Sequence, residues 1–322
     1  MAEAAKPIHV TPERIIDARM LATIGLVCAL AALPFAVGGF LLYTLALCFA
    51  NGLAVLSVSL LVRYSGEVSI GHSFFVALGA YAVAIIEKQL GLSLFVSLPV
   101  ALVLGVFGGI LFAYPSRRLS GIYLAVSTMA LALALPEVLV HSDKLTGGFQ
   151  GLYVGLAPIP GVPKNLQHYY ICLFVLIAAC LALAHLRKSR QGLALLMARA
   201  HPRAAEAFGI TRSWARVSVF AISATIASLA GALIAFSSST VSPNSFTLWS
   251  SIFLLVGSVV SLHRLTLPAA LIGGGFLTLV PTYLAGAGDW VPVLYGAALI
   301  IVTLCVNCGP EIRRFFERGG RA

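Results

Sequence analysis

Charge is scarce in this sequence. Of its 322 residues only 10% are charged while 60% are hydrophobic, against roughly 25% charged in soluble globular domains. That deficit excludes a water-soluble domain, and a mean hydropathy of +0.99 places the chain in a bilayer. The apolar runs are of the order of 20 residues that a helical span needs, not the short alternating segments of a membrane β-barrel. The expected fold is therefore all-α, a polytopic helical membrane protein. No G-x-x-x-x-G-K-[ST] loop is present to cradle a nucleotide phosphate, which excludes ATP hydrolysis by this chain. H-E-x-x-H and paired-carboxylate spacings are also missing, and His72, His185 and His263 fall on or beside separate predicted spans, so catalysis and a metal centre have no support.

Cysteine is sparse as well: Cys28, Cys48, Cys172, Cys180, Cys305 and Cys308, all within predicted spans. With none in a long hydrophilic loop, an exported disulfide framework is excluded. Cys305 and Cys308 form a C-x-x-C, but no second pair or histidine lies near it in sequence, and the expected reading is two buried small side chains.

About ten spans are legible, near 20–38, 40–62, 68–86, 94–114, 120–140, 169–186, 214–236, 246–262, 266–285 and 291–308, the first two joined near Gly38 and Gly39. The length of apolar sequence from Met20 to Ala50 argues for retained spans over a cleaved signal peptide. With the N-terminus inside, all but Lys88, Lys144 and Lys164 of the 21 lysines and arginines face one side. Such an asymmetry marks the cytoplasmic face and puts both termini there. It also accounts for the net charge of +10 without nucleic acid. No linker or charge block divides the chain. It reads as a cytoplasmic segment 1–19, one membrane domain 20–308 and a basic cytoplasmic tail 309–322.

Two hydrophilic stretches interrupt the spans. The outer one, 141–168, carries the turn-rich "TGGFQGLYVGLAPIPGVPKN", too long for an incidental connection; it is a functional surface or a flexible lid. The inner one, 187–216, contains "HPRAAEAFG". Pro202 can open a helix and Gly209 can stop it. Ala205 and Phe208 are expected on one side of that helix, with Arg203 and Glu206 on another. The element fits either a protein groove or lipid headgroups.

A third stretch, "YSGEVSIGHSFFVALGAY" from Tyr64 to Tyr81, places polar residues and glycines inside an apolar run. Irregular or tightly packed backbone at membrane depth is tolerated only when buried in protein or lining a watery cavity. Gly66, Gly71 and Gly79 suit close helix approach, and Ser69, His72 and Ser73 can satisfy freed backbone groups. Glu67, His72 and Tyr81 then mark either a translocation pathway or the polar joint that lets one form.

These segments resemble the branched-chain amino acid ABC-importer permease family. Its pattern near Y-x-G-x-x-S-x-G-H-x-x-F-x-x-x-G-A-Y is met by Tyr64, Gly66, Ser69, Gly71, His72, Phe75, Gly79, Ala80 and Tyr81. Its T-G-G-x-x-G-L is met by Thr146, Gly147, Gly148, Gly151 and Leu152. Its coupling segment is met by Arg199, Ala204, Ala205, Glu206, Ala207 and Gly209, and "AGALIAFSSSTVSPNSF" matches the segment that follows. One region departs: "GSVVSLHRLTLPA" keeps only Gly257, Ser261 and Ala269 of a glycine-rich turn, with His263 and Arg264 where small or aromatic residues are expected.

The resemblance implies a type II-importer-like permease of a bacterial inner membrane, the second of two permease chains. It would move a small polar or amphipathic solute by alternating access. It would bind no cofactor itself, with ATP and Mg on two partner ATPase subunits that grip the coupling segment. Other implied partners are a homologous permease chain, a periplasmic or lipid-anchored substrate-binding protein facing Thr146, Gly147, Gly148 and Gly151, and membrane lipid, with no nucleic acid. An ion-coupled secondary transporter is the alternative that the composition leaves open.

Overall fold

The computed structural model describes residues 12–119, 121–155 and 161–283, together with 290, 293–297, 300 and 301. Helices dominate: α1 (Pro12–Ala32), α2 (Gly39–Ser65), α3 (His72–Leu90), α4 (Leu94–Ser116), α5 (Ile122–His141), α6 (Asp143–Thr146), α7 (Lys164–Lys188), α8 (Arg190–Ala200), α9 (Pro202–Ala207), α10 (Arg212–Ser238), α11 (Leu248–Val260) and α12 (Leu267–Tyr283). Two short strands, β1 (Leu152–Tyr153) and β2 (Thr240–Val241), pair antiparallel, Leu152 opposite Val241.

Among the described residues, α2, α3, α4, α5, α7 and α10 are long and apolar enough to cross a membrane, while α11 and α12 are apolar but shorter. At 1.5 Å per residue, the 27 residues of α2 reach about 40 Å, beyond the ~30 Å hydrocarbon core. The tenth predicted span, the C-x-x-C and the basic tail lie largely or wholly outside the described residues. The junction of the first two spans falls where expected, with α2 opening at Gly39. Several boundaries move. α1 opens at Pro12, inside the segment expected to precede the first span, and α3 opens at His72 instead of near 68. Lys164 opens α7 inside the stretch expected to be loop, and the inner stretch holds two helices, α8 and α9, instead of one.

α2 and α10 are buried on most of their surface, whereas α4, α5 and α7 expose theirs. The bundle is therefore built around α2 and α10, with α3 and α4 laid on α10 and α7 and α12 laid on α2. Close crossings make this possible. A Cβ added to Gly79 would fall on the Ser228 carbonyl, and one added to Gly231 would fall on the Val76 carbonyl. Helices in lipid gain little from hydrophobic burial against one another, so backbone approach of this kind supplies much of their association.

Candidate functional site

The polar stretch after α2 is a break between helices. Gly66 caps α2 in the left-handed conformation, φ +72°, which a side chain rarely adopts. Residues 67–71 are unwound, and α3 starts at His72. His72 Nε2 lies 2.9 Å from Ser57 Oγ. Ser57 sits eight residues, or about 12 Å of helix, before the end of α2, so the unwound segment climbs back along α2 and α3 begins inside the bundle.

Glu67 holds this segment from below. Its carboxylate is buried, Oε1 accepting from Arg216 Nη2 at 3.0 Å and Oε2 from the Gly121 amide at 3.0 Å. Arg216 also donates to the Arg117 carbonyl at 2.8 Å and to the Leu119 carbonyl. One ion pair thus gathers the α2–α3 break, the α4–α5 turn and the start of α10. From sequence Glu67 has no evident partner; Arg216, 149 positions away, is that partner. Local spacing could not reveal it.

Above Glu67, the Ile70 amide donates to Thr128 Oγ1 at 3.1 Å, and a Cβ on Gly71 would overlap the Thr128 carbonyl. Ser69 is buried with its hydroxyl unpartnered among the described residues. His72 is fully buried. Ser57 Oγ donates to the Ala54 carbonyl and Ser223 Oγ to the Ser57 carbonyl. Both hydroxyl protons are thereby committed, so the contacts to His72 Nε2, 2.9 Å from Ser57 and 3.4 Å from Ser223, require the ring to be the donor. His72 ties the α3 N-terminus to α2 and α10 and does not line the central cavity.

That cavity, of about 210 Å³, opens beside the next residue. Ser73, Asn51, Ser245 and Ser250 give it polar walls, and Val76, Ile234, Phe246, Phe253, Leu254, Leu277, Pro281 and Tyr295 give it apolar ones. The Ser73 amide donates to Ser251 Oγ at 2.9 Å, and Ser251 Oγ donates to Ser73 Oγ at 2.7 Å. Asn51 Nδ2 donates to Thr278 Oγ1 at 2.9 Å, and its carbonyl oxygen makes no bond among the described residues. Tyr295 stacks on Phe253 at 4.2 Å between ring centroids. Tyr81 does not line the cavity; its ring packs against Phe246 with centroids 6.1 Å apart. Sequence reasoning missed Asn51, Ser250 and the aromatic wall. Each sits in an ordinary apolar helix, and only the packing of α2, α3, α11 and α12 brings them together.

At the end of the bundle that carries Glu67, α8 and α9 protrude. Ser189 caps α8 through the Gly192 amide, and Pro202 opens α9. Ala205 is buried, while Arg203, Ala204, Glu206, Ala207, Phe208 and Gly209 are exposed. The expected pairing of Ala205 with Phe208 on one face does not hold, because the short helix ends at Ala207 and releases Phe208 to the surface. Arg199 is not on α9 at all. It lies in the last turn of α8, donates to the Arg63 carbonyl, and passes over Gly66, where an added Cβ would meet Arg199 Nε at 3.0 Å. The protruding segment is thereby tied to the α2–α3 break.

The opposite end carries Thr146, Gly147, Gly148 and Gly151. Thr146 Oγ1 donates to the Leu139 carbonyl at 2.6 Å, and the three glycines all have positive φ. These residues fold the loop onto β2, and Leu145, Phe149, Gln150 and Tyr153 are among its exposed residues. Residues 156–160 of this loop lie outside the described residues. In the departing segment, Leu262 and His263 take the positive φ that glycines would supply, with Ser258 Oγ 2.7 Å from His263 Nδ1.

Six helices are long and apolar enough to cross a membrane, the bundle is broken beside a small mixed cavity and exposed helices stand at one end, which is the class of a polytopic helical membrane protein. A family described as the branched-chain amino acid transport system permease component matches residues 40–303, and the chain belongs to that family. Its members are transport subunits, not enzymes. The high-affinity branched-chain amino acid transport system permease protein LivM of Escherichia coli (strain K12) is 26% identical over 227 residues, 62% of this chain and 53% of the relative. The probable branched-chain amino acid transport permease protein LivH of Methanocaldococcus jannaschii is 25% identical over 281 residues, 80% of this chain and 86% of the relative. The chain spans about half the length of the LivM relatives it matches. No solved structure matches it.

Proposed function

We infer that this chain is the membrane-spanning permease subunit of an ATP-driven importer, moving a small amphipathic solute of branched-chain amino acid type by alternating access. The observation that carries this reading is the cavity of about 210 Å³ beside the α2–α3 break. It is smaller than the roughly 300–1,000 Å³ of pockets for drug-sized ligands, which suits one small solute. Serine hydroxyls and the Asn51 carbonyl oxygen can address the ammonium and carboxylate of a zwitterion. Val76, Leu254 and Leu277 can meet a branched hydrocarbon side chain. The start of α3 borders the cavity at Ser73 and turns the positive end of a helix dipole toward a carboxylate.

The drive comes from elsewhere in the complex. α9, exposed around Glu206, would sit in a groove of an ATPase subunit, and ATP with Mg would be bound and hydrolysed there. Arg199 would pass that movement to the α2–α3 break through the Arg63 carbonyl. A second permease chain, in a heterodimer, would complete the route, and a substrate-binding protein would deliver solute to the face bearing Phe149 and Tyr153. This arrangement places α9 in the cytoplasm of a cell whose inner membrane holds the chain. Among the described residues no carboxylate lines the cavity, whereas ion-coupled transporters coordinate Na⁺ or H⁺ near the midplane. Affinity purification from native membranes tests the reading. Recovery of ATPase subunits and a second permease supports it; a chain that purifies alone and transports down an ion gradient overturns it.

A further inference from the structure

A trough of about 1110 Å³ runs along the outside of the bundle between α4, α7 and α10. It is separate from the central cavity and is open to the side. Its walls are apolar over almost their whole length, formed by residues such as Leu102 and Val106 of α4, Phe174 and Leu183 of α7, and Ile226 of α10. From Phe174 to Leu186 it follows α7 for about 18 Å, a little more than half of the ~30 Å hydrocarbon core. That is the depth of one leaflet.

At one end only, the lining turns polar, with His185, Ser189, Arg190 and Gln191. Arg190 is exposed. Among the described residues the one ion pair joins Arg216 to Glu67, so no carboxylate among them neutralises Arg190, and none among them lines the trough. Arg190 also opens α8, where helix amides and dipole favour a negative group. A second hollow shares Leu186, Gln191 and Ile222 with the trough and extends past the exposed Trp214 to Gly209 and Ile210. Tryptophan at such a level marks the headgroup interface.

We propose that this trough is a binding site for one anionic phospholipid, with an acyl chain laid along α7 from Phe174 to Leu186 and its phosphate on Arg190 and His185. An apolar slot one leaflet deep, closed at one end by unneutralised positive charge, complements a lipid with a negative headgroup. A purely apolar transmembrane helix of a partner would supply no negative group to Arg190 at that end. The trough runs along the middle of α10 and ends at the start of α8, so an occupying lipid would brace the helix that leads to α9. The inference goes beyond the transport reading and stands without it, since it concerns only this chain and the bilayer.

The test uses the full chain, purified in mild detergent, supplied with an equimolar mixture of phosphatidylglycerol and phosphatidylcholine, and examined by native mass spectrometry. The expected result is one retained phosphatidylglycerol in clear preference to phosphatidylcholine. Arg190→Gln should lower that preference about five-fold, the effect of one basic residue near a lipid headgroup, while Arg203→Gln on α9 leaves it unchanged. Ala182→Trp, which fills the trough, should remove both lipids without changing the melting temperature. Equal retention of the two lipids by the unaltered chain would overturn the proposal, as would a preference that survives both Arg190→Gln and Ala182→Trp. Crosslinking of Phe174→Cys to another protein chain in native membranes would overturn it too.

Discussion

Glu67 and Arg216 form a buried ion pair of 3.0 Å between two segments 149 positions apart. Each partner carries further bonds, from the Gly121 amide to Glu67 and from Arg216 to the Arg117 and Leu119 carbonyls. A group placed to bind a passing solute would keep a free polar atom toward the cavity. Glu67 spends its carboxylate on the scaffold.

Removing one partner leaves the other charged and buried, which costs roughly 3–5 kcal/mol. Glu67→Ala and Arg216→Ala should each lower the melting temperature of the detergent-purified chain strongly. The double substitution Glu67→Leu with Arg216→Met should recover part of that loss. Single variants that melt like the parent would show that the pair contributes nothing to the fold.

Gly71 and His72 separate packing from solute contact. Gly71→Leu drives a side chain into the Thr128 carbonyl, an overpacking cost of about 1–3 kcal/mol or more, and should impair folding whether or not solute is present. His72→Ala should also lower stability, because the ring holds α3 to Ser57 and Ser223. A His72→Ala protein with full stability and no transport would instead put His72 in the solute route.

The sequence marked the stretch that holds the break, although it expected helix from 68 where the structure unwinds 67–71, and it did not show what the break faces. Gly66, Gly71 and His72 stand out because polar and glycine residues are costly in an apolar run, a local signal. The same reasoning placed Pro202 and Gly209 at the ends of a short helix, which the structure has at Pro202–Ala207. Asn51, Ser250 and Tyr295 gave no such signal. An asparagine or tyrosine in a membrane helix is compatible with many positions, and its role depends on which helices meet, a tertiary fact. The Arg216 partner of Glu67 and the return of Arg199 to Arg63 were hidden for the same reason. His263 and Arg264 mark a departure that was visible in sequence, and there Leu262 and His263 take positive φ.

His263 should make stability depend on pH. Its burial, with Arg199 nearby, holds its pKa below the ordinary 6.5, so the folded chain keeps the ring neutral while the unfolded chain would protonate it. Stability is then fully present above pH 6.5 and is lost as pH falls below it. Melting curves between pH 8 and pH 5 should show this decline, and His263→Gln should flatten it. An identical decline in both proteins would assign it to other groups.

Gln150 and Arg203 are both exposed and belong to opposite ends of the bundle in the proposed topology. In intact cells, a membrane-impermeant thiol reagent should label Gln150→Cys and spare Arg203→Cys until the membrane is opened. Labelling of Arg203→Cys from outside would reverse the orientation and remove α9 from the reach of a cytoplasmic ATPase.

The central claim is that nucleotide hydrolysis on partner subunits, transmitted through α9, drives solute through this chain. The direct measurement is uptake of radiolabelled leucine into proteoliposomes that contain the co-purified complex, binding protein outside and ATP inside. ATP-dependent accumulation is expected, lost in Glu206→Arg while the complex still forms or lost because α9 no longer docks. Uptake that needs no ATP and follows an imposed ion gradient, or that persists unchanged in Glu206→Arg, would contradict the account.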